Sequence, residues 1–379
     1  MKKYKPYLGR VDLVKNQVER EKLAEQEATS KRKRSIQQQN RQRWLKYQEQ
    51  LRSELAARYF HAVQSTGGDT ALLDSYGTNA FLAVSFRKLR SSYTGFSVRI
   101  RRQGTAGSTG TADDQADLHF DSNDYTSLDS PITAVTSGVL STTLGEFCAA
   151  PGYSNPDSMP SADTVEIEKF YNQAEDTTIP SLNQQTTTQF DELVLNGVLE
   201  TITIGGDEFV ACRNTFRQDY VAVLHVADYL GASQPLTIFT TTNVKDPGGS
   251  FTVEGVSVTP NEFANNALIR YDETSNQFAL VNETGAVTIL SSTNTFATDT
   301  PYVFTTLLQN NPGTTAYYVN NVLQDSRTDF TKTATRSFKY DQSNKASGPE
   351  FMEAIVFKSS EEANISTINN DIMTYYNLT

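Results

Sequence analysis

Two patterns of apolar and polar positions divide the chain. From about Val11 to about Val63 there is no proline and no glycine, and Glu, Gln, Lys, Arg, Leu and Ala fill the stretch. These are good helix formers, so the run predicts one long N-terminal helix. Fully helical, it would extend roughly 80 Å at 1.5 Å per residue. Val11, Val14 and Val18 recur at helical steps near one end, and Trp44, Tyr47, Leu51, Leu55 and Tyr59 do so near the other. Such spacing draws a single apolar seam along a helix. Lys31-Arg32-Lys33-Arg34 and a Gln-rich stretch with one Ile36 interrupt it. The expectation is a partial coiled coil or a helix clamped by neighbouring subunits. A solvated free helix is the plainer alternative.

After Gly67-Gly68 the period changes from helical to strand-like. The Phe96–Arg101 run alternates, which points Phe96, Val98 and Ile100 inward and Arg99 and Arg101 outward. Tyr220–Val226 is continuously apolar and reads as a strand covered on both faces. Further strands are expected at Leu236–Thr240, Phe251–Val258, Ala267–Tyr271, Phe278–Val281, Val287–Leu290, Tyr302–Leu308, Ala316–Val319 and Ala354–Phe357. Turn signals separate them, among them Asp246-Pro-Gly-Gly, Gly285, Asn311-Pro-Gly and Asn320-Asn321. Many short strands with turns between them predict an antiparallel sandwich. Ile365, Ile368, Ile372 and Tyr375 then mark a short closing helix.

Charge sharpens the division. Residues 1–60 carry 16 Lys/Arg against 7 Asp/Glu, and the remainder carries 17 against 37. A basic arm of net +9 thus precedes an acidic body of net −20, an asymmetry that suits an arm docked on something and a body facing outward. Nucleic-acid binding by Lys31–Arg34 rests on only four basic residues, and acidic protein neighbours are the preferred partners. The first residues, Met-Lys-Lys-Tyr-Lys-Pro, lack the apolar core of a signal peptide. No run approaches the ~18 apolar residues of a membrane span. The expectation is a soluble chain made in a cytoplasm, where the sequons at Asn282, Asn364 and Asn377 stay unmodified.

Residues 70–126 carry a recognisable series: Leu73-Asp-Ser-Tyr-Gly-Thr-Asn-Ala, then Ser85-Phe-Arg-Lys-Leu-Arg through Tyr93-Thr-Gly to Arg101-Arg102, then Asp117-Leu-His-Phe-Asp-Ser-Asn. The series resembles the opening of concanavalin A-like (laminin-G-like) jelly-roll domains of phage virion and tail proteins, related in pattern to the catalytic domain of α-L-arabinofuranosidase B. Phe170-Tyr-Asn-Gln is similar to that family's Trp-Tyr-Asp-Gln-Ser-Gly, with Asn172 in place of the Asp and the Ser-Gly missing after Gln173. Asp191–Leu199 is similar to the segment that follows. At the other end, Ala316-Tyr-Tyr-Val-Asn-Asn-Val-Leu, Glu353-Ala-Ile-Val-Phe and the final helix resemble the family's hairpin, closing strand and helix. The resemblance covers residues 70–379 and implies the fold. It transfers no catalytic residue, because no stretch matches the arabinofuranosidase nucleophile or acid.

The search for chemistry leaves little. Glycoside hydrolysis needs two carboxylates across the scissile bond. Glu166-x-Glu168 would put both on one face of a strand, which charged edge positions explain equally well. A serine triad needs a positioned histidine. His61 falls at the helix end, His225 inside an apolar strand, and His119 between Asp117 and Asp121 in a polar loop. Calcium-loop spacing, phosphate loops and dinucleotide fingerprints are not found. Cys148 and Cys212 are too few for a disulfide framework or zinc site and read as small buried residues, with one disulfide left open. Tyr317, Tyr318, Asn320 and Asn321 offer an aromatic platform with polar flanks, but core packing and a hairpin turn account for them.

The sequence therefore predicts a mainly β protein: a concanavalin A-like antiparallel β-sandwich (jelly roll) preceded by a long N-terminal α-helix. Residues 1–66 form the basic arm, which anchors and oligomerises through Val11, Val14, Val18, Lys31, Arg32, Lys33, Arg34, Trp44, Tyr47, Leu51 and Leu55. Residues 67–379 form the lectin-like body with its short C-terminal helix. The expected function is that of a non-enzymatic phage virion structural protein: a head or tail fibre, an adaptor or a decoration. Its partners are other virion proteins, copies of itself (a trimer is plausible) and a host surface glycan, with no cofactor, metal or membrane. A glycoside hydrolase of arabinofuranosidase type and a free carbohydrate-binding module are the alternatives.

Overall fold

The alternating runs of the body form strands because β-branched and aromatic residues at every second position cover a shared core. The structure is a computed structural model. It describes residues 17, 19, 22, 71–102, 115–136, 139, 141–148, 165–174, 182–184, 191–195, 198–212, 224–230, 234–244, 251–257, 267–272, 275–282, 287–309, 312–329, 336–340 and 350–378. The chain separates into two units, residues 1–65 and residues 66–379. In the first, Gln17, Glu19 and Lys22 are helical and exposed. The seam and basic run assigned to the arm, at Val11, Val14, Val18, Lys31–Arg34, Trp44, Tyr47, Leu51 and Leu55, lie outside the described residues.

The second unit is mainly antiparallel β. A six-stranded sheet has the order Ala80–Ser85, Glu350–Phe357, Leu236–Val244, Thr300–Leu308, Thr315–Val319 and Val322–Arg327. The first strand of the body thus pairs with the last, Ala83 opposite Ile355 and Ser85 opposite Glu353. A larger sheet runs from Val287–Ser291 through Arg336–Tyr340, Leu224–Leu230, Leu182–Gln184, Val165–Phe170, Val98–Arg102 and Gln115–Leu118 to Ile132–Ala134. Asp191–Leu195 pairs beside Val165–Phe170 and carries the short strand Val198–Leu199.

Apart from its exposed edge strand Val322–Arg327, the six-stranded sheet is buried on both faces. On one face, Val84, Ile238, Phe304, Tyr317 and Val356 pack with Val98, Ile100, Ile167, Phe170, Phe278 and Leu280 of the larger sheet. Edge-to-face ring pairs cross this core, with Phe170 and Phe351 centroids 5.1 Å apart. On the other face, Ala83, Phe239, Leu307 and Ile355 meet the closing helix Ile365–Tyr375 through Ile365, Ile368 and Ile372. Ile202 and Ile204 join the same layer from a hairpin whose turn is Gly205-Gly206, at φ +62° and +100°. That turn needs glycine, since left-handed backbone penalises a Cβ. No described helix is long and apolar enough to cross a membrane.

The central strand Leu236–Val244 is buried along its whole length, yet it carries Thr237, Thr240, Thr241, Thr242 and Asn243. Threonine supplies the β-branched shape that a doubly covered strand favours and adds a hydroxyl. Thr237 Oγ1 donates to Ser359 O at 2.9 Å. Thr240 Oγ1 and Thr241 Oγ1 are buried without a hydrogen-bond partner among the described residues.

Candidate functional site

The residues that carry the family resemblance turn out to be structural fasteners. Asn172 and Gln173 follow the strand Val165–Phe170 and lie along the free edge of Ala80–Ser85. Asn172 Oδ1 accepts from Ala83 N at 2.9 Å, and its Nδ2 donates to Phe81 O at 3.0 Å. Gln173 N donates to Ala83 O at 2.8 Å. Gln173 Nε2 donates to Arg87 O at 3.0 Å, and its Oε1 accepts from Leu89 N at 2.7 Å. Together they satisfy backbone groups that an open sheet edge would leave free. Near them Arg90 Nη2 donates to Gly77 O at 3.1 Å, where a Cβ on Gly77 would meet that nitrogen at 2.5 Å and Leu73 Cβ at 2.9 Å.

Ser85 and Arg87 converge on Glu353 in the buried layer beneath the closing helix. Arg87 Nε and Nη2 donate to the two carboxylate oxygens at 2.7 and 3.0 Å, and Ser85 Oγ donates to Oε2 at 3.0 Å. The Tyr375 ring lies 4.0 Å from the guanidinium carbon. Burial works against the Arg87 charge, but Glu353 overrides it and holds the guanidinium protonated. Burial raises Tyr375 to about 12.

A second cluster lies on the outer side of the larger sheet, facing away from the six-stranded sheet. Arg99 opposes Asp117 in register, and Asp117 opposes Thr133. Arg99 Nε and Nη2 donate to Asp117 Oδ1 and Oδ2 at 2.7 and 3.0 Å, and Tyr171 OH donates to Oδ1 at 2.6 Å. That hydrogen bonding to Asp117, opposed by burial, raises Arg99. Tyr171 is raised by burial and then by its bond to Asp117. Arg101 Nε donates to Glu166 Oε2 at 3.0 Å, and Glu166 stands opposite Glu192 on the next strand. Exposure falls across this surface, from exposed Thr133 through Arg99 at 23% to Arg101 at 16% and Glu166 at 4%.

Phe96 departs from the sequence expectation. Val98 and Ile100 point inward, fully buried. Ser97, however, is held by bonds from its N and Oγ to Leu118 O, at 2.8 and 3.2 Å. The alternation stops there. The Phe96 ring packs on the outer side instead, 4.6 Å from His119 and 5.4 Å from Tyr171 between centroids. Lys169 Nζ sits 4.6 Å from the centre of the Tyr171 ring, and burial, with Arg99 nearby, lowers its pKa. A register shift between Ile100 and Arg99 makes Glu168 the extra residue of a β-bulge, a device that re-aims side chains.

The other sequence candidates have local tasks. His119 Nε2 shares a hydrogen bond with Thr133 Oγ1 at 3.0 Å. Asp121 organises its own loop, accepting from Asn123 N at 2.8 Å and Ser127 Oγ at 2.8 Å. Among the described residues no group of three or more His, Cys, Asp or Glu could hold a metal ion. Tyr317 is core, its OH donating to Phe278 O at 2.9 Å. Asn320 and Asn321 form the hairpin turn at φ +47° and +63°. Cys148 and Cys212 are both buried. The side chain of His225 lies outside the described set, but its backbone stands between Asn183 and Lys339 in the larger sheet.

No protein-family model matches the chain, and no curated protein matches it. Among solved structures it is similar to an arabinofuranosidase complexed with arabinofuranosyl-α-1,2-xylobiose, at 10% identity and a TM-score of 0.48 over 81% of this chain. The match spans 65% of that enzyme's length. It is also similar to a SAP-like pentraxin from Limulus polyphemus, at 12% identity and a TM-score of 0.32 over 39% of this chain and 74% of that one. The carbohydrate recognition domain of Emp47p matches at 11% identity and a TM-score of 0.32, over 48% of this chain and 94% of that one. These scores lie below 0.5, and the sandwich is established by the chain's own register and packing.

Proposed function

We propose that the chain is a non-enzymatic structural and binding protein of a phage particle. In this reading the basic arm, as a long helix, anchors it to acidic neighbours and to copies of itself. A concanavalin A-like jelly-roll body projects outward and binds a glycan. The observation that carries the non-enzymatic reading is the state of the conspicuous carboxylates. Asp117 and Glu353 each have both oxygens engaged by an arginine, and Glu166 accepts from Arg101. A hydrolase needs one carboxyl kept protonated as acid and another free to attack or to activate water. Arginine pairing occupies the oxygens that a nucleophile or base would need. The arm's charge, opposite to that of the body, and the virion-type motif series support the rest.

A glycoside hydrolase is the rival reading, and one observation favours it. Glu166 and Glu192 stand in register on adjacent strands, both buried. A screen of aryl-glycosides and polysaccharides decides between them. No turnover is expected, and turnover abolished by Glu166→Gln or Glu192→Gln would establish the hydrolase.

A further inference from the structure

The outer cluster of the larger sheet contains parts that the fold does not use. Phe96 could have extended the inward alternation of Val98 and Ile100 but lies outside with its ring part-exposed. It meets His119 edge-to-face at 4.6 Å, so two rings form one corner beside Tyr171. Rings held at a polar surface offer a flat apolar contact with polar rims. Around them stands a polar frame whose geometry is fixed before any ligand arrives: the bidentate Arg99–Asp117 pair, Tyr171 bonded to it, and His119 bonded to Thr133. Lys169 holds its ammonium over Tyr171, near the charges of Asp117 and Glu168, with no direct ion pair among the described residues. It keeps donors for an incoming acceptor.

Charge selects the class of ligand. Arg99 and Asp117 cancel, and Lys169 is offset by Glu168. The corner therefore has no net positive charge to hold an anion, and residues 61–379 as a whole are strongly acidic. A neutral saccharide fits these features: its C–H face matches the rings, and its hydroxyls match the lysine and the fixed polar rim.

We propose that Phe96, His119 and Lys169, framed by Tyr171 and the Arg99–Asp117 pair, form a binding site for a neutral saccharide. This deepens the glycan-binding reading and rests on it. The test is a glycan array followed by calorimetry with the full chain and with Lys169→Gln, Lys169→Arg and Phe96→Ala, each checked for an unchanged circular dichroism spectrum and melting temperature. Neutral glycans should be bound, with affinity about tenfold weaker or more in Lys169→Gln and in Phe96→Ala, and largely kept in Lys169→Arg. Glycan binding untouched by all three variants, or confined to acidic glycans, would overturn this site while leaving the glycan reading standing. Binding to no glycan at all would overturn that reading and the site with it. Should Phe96→Ala unfold, the two lysine variants alone decide the matter.

Discussion

Arg87 and Glu353 lie 266 residues apart in sequence and form a bidentate ion pair at 2.7 and 3.0 Å, buried where the first strand of the body meets its last. Tyr376 OH donates to the same carboxylate at 3.3 Å, which brings the closing helix into the network. Buried pairs of this kind cost desolvation and return little net stability, but removing one partner strands the other charge. Arg87→Ala or Glu353→Gln should therefore lower stability by about 3–5 kcal/mol, measured by urea unfolding. The double variant Arg87→Met/Glu353→Leu should lose less than either single change. Equal losses in all three would show that the pair contributes packing and not charge.

Asn172 uses both ends of its amide, accepting from Ala83 N and donating to Phe81 O. The resembled family has an aspartate at this place, and a carboxylate cannot donate to Phe81 O. Asn172→Asp should cost about 1–3 kcal/mol, with edge-strand amides near Ala83 exchanging faster with deuterium. An unchanged unfolding midpoint would remove Asn172 as the edge fastener.

The buried hydroxyl of Thr241 has no partner among the described residues. Replacing it by a methyl group of similar shape removes a desolvated polar atom. Thr241→Val should leave stability unchanged or raise it by about 1 kcal/mol, read from the melting temperature. A clear loss would mean that the hydroxyl has a partner in solution.

Asp371 on the closing helix has its pKa raised, first by burial and then by Glu353, against the opposing pull of Arg87. A raised carboxyl binds its proton more tightly in the folded chain than in the unfolded one. Its contribution is therefore favourable below the ordinary aspartate value and is lost as pH rises through the raised value. Asp371→Asn should melt higher than the parent at neutral pH, and the gap should close below about pH 4. A gap that widens on acidification would reverse the sign of the argument.

Much of the body was legible because its strands alternate or run apolar between turn signals. Leu236–Val244, Thr300–Leu308, Thr315–Val319 and Glu350–Phe357 all contain the apolar runs that marked them. The helix Ile365–Tyr375 buries the isoleucines that its spacing selected, although Tyr376 and not Tyr375 is the more deeply buried tyrosine. The hairpin Thr201–Ile204/Asp207–Val210 also carries a sequence signal, two glycines between alternating runs. Phe96 lies outside although alternation predicts it inward, because the sequence pattern continues past Ser97, where the alternation of faces stops. The alternation places Arg99 outward, but the assembly of the outer cluster is not legible in sequence. Arg99, Asp117, Lys169 and Tyr171 meet through pairing of distant strands, which local pattern does not encode.

The central claim, an arm that anchors and a body that displays, is tested most directly by deleting residues 1–65 and measuring incorporation into particles. The truncated chain should fold, melt at the same temperature as the body of the full chain, and be missing from purified particles. Incorporation at the full-length level would contradict the account.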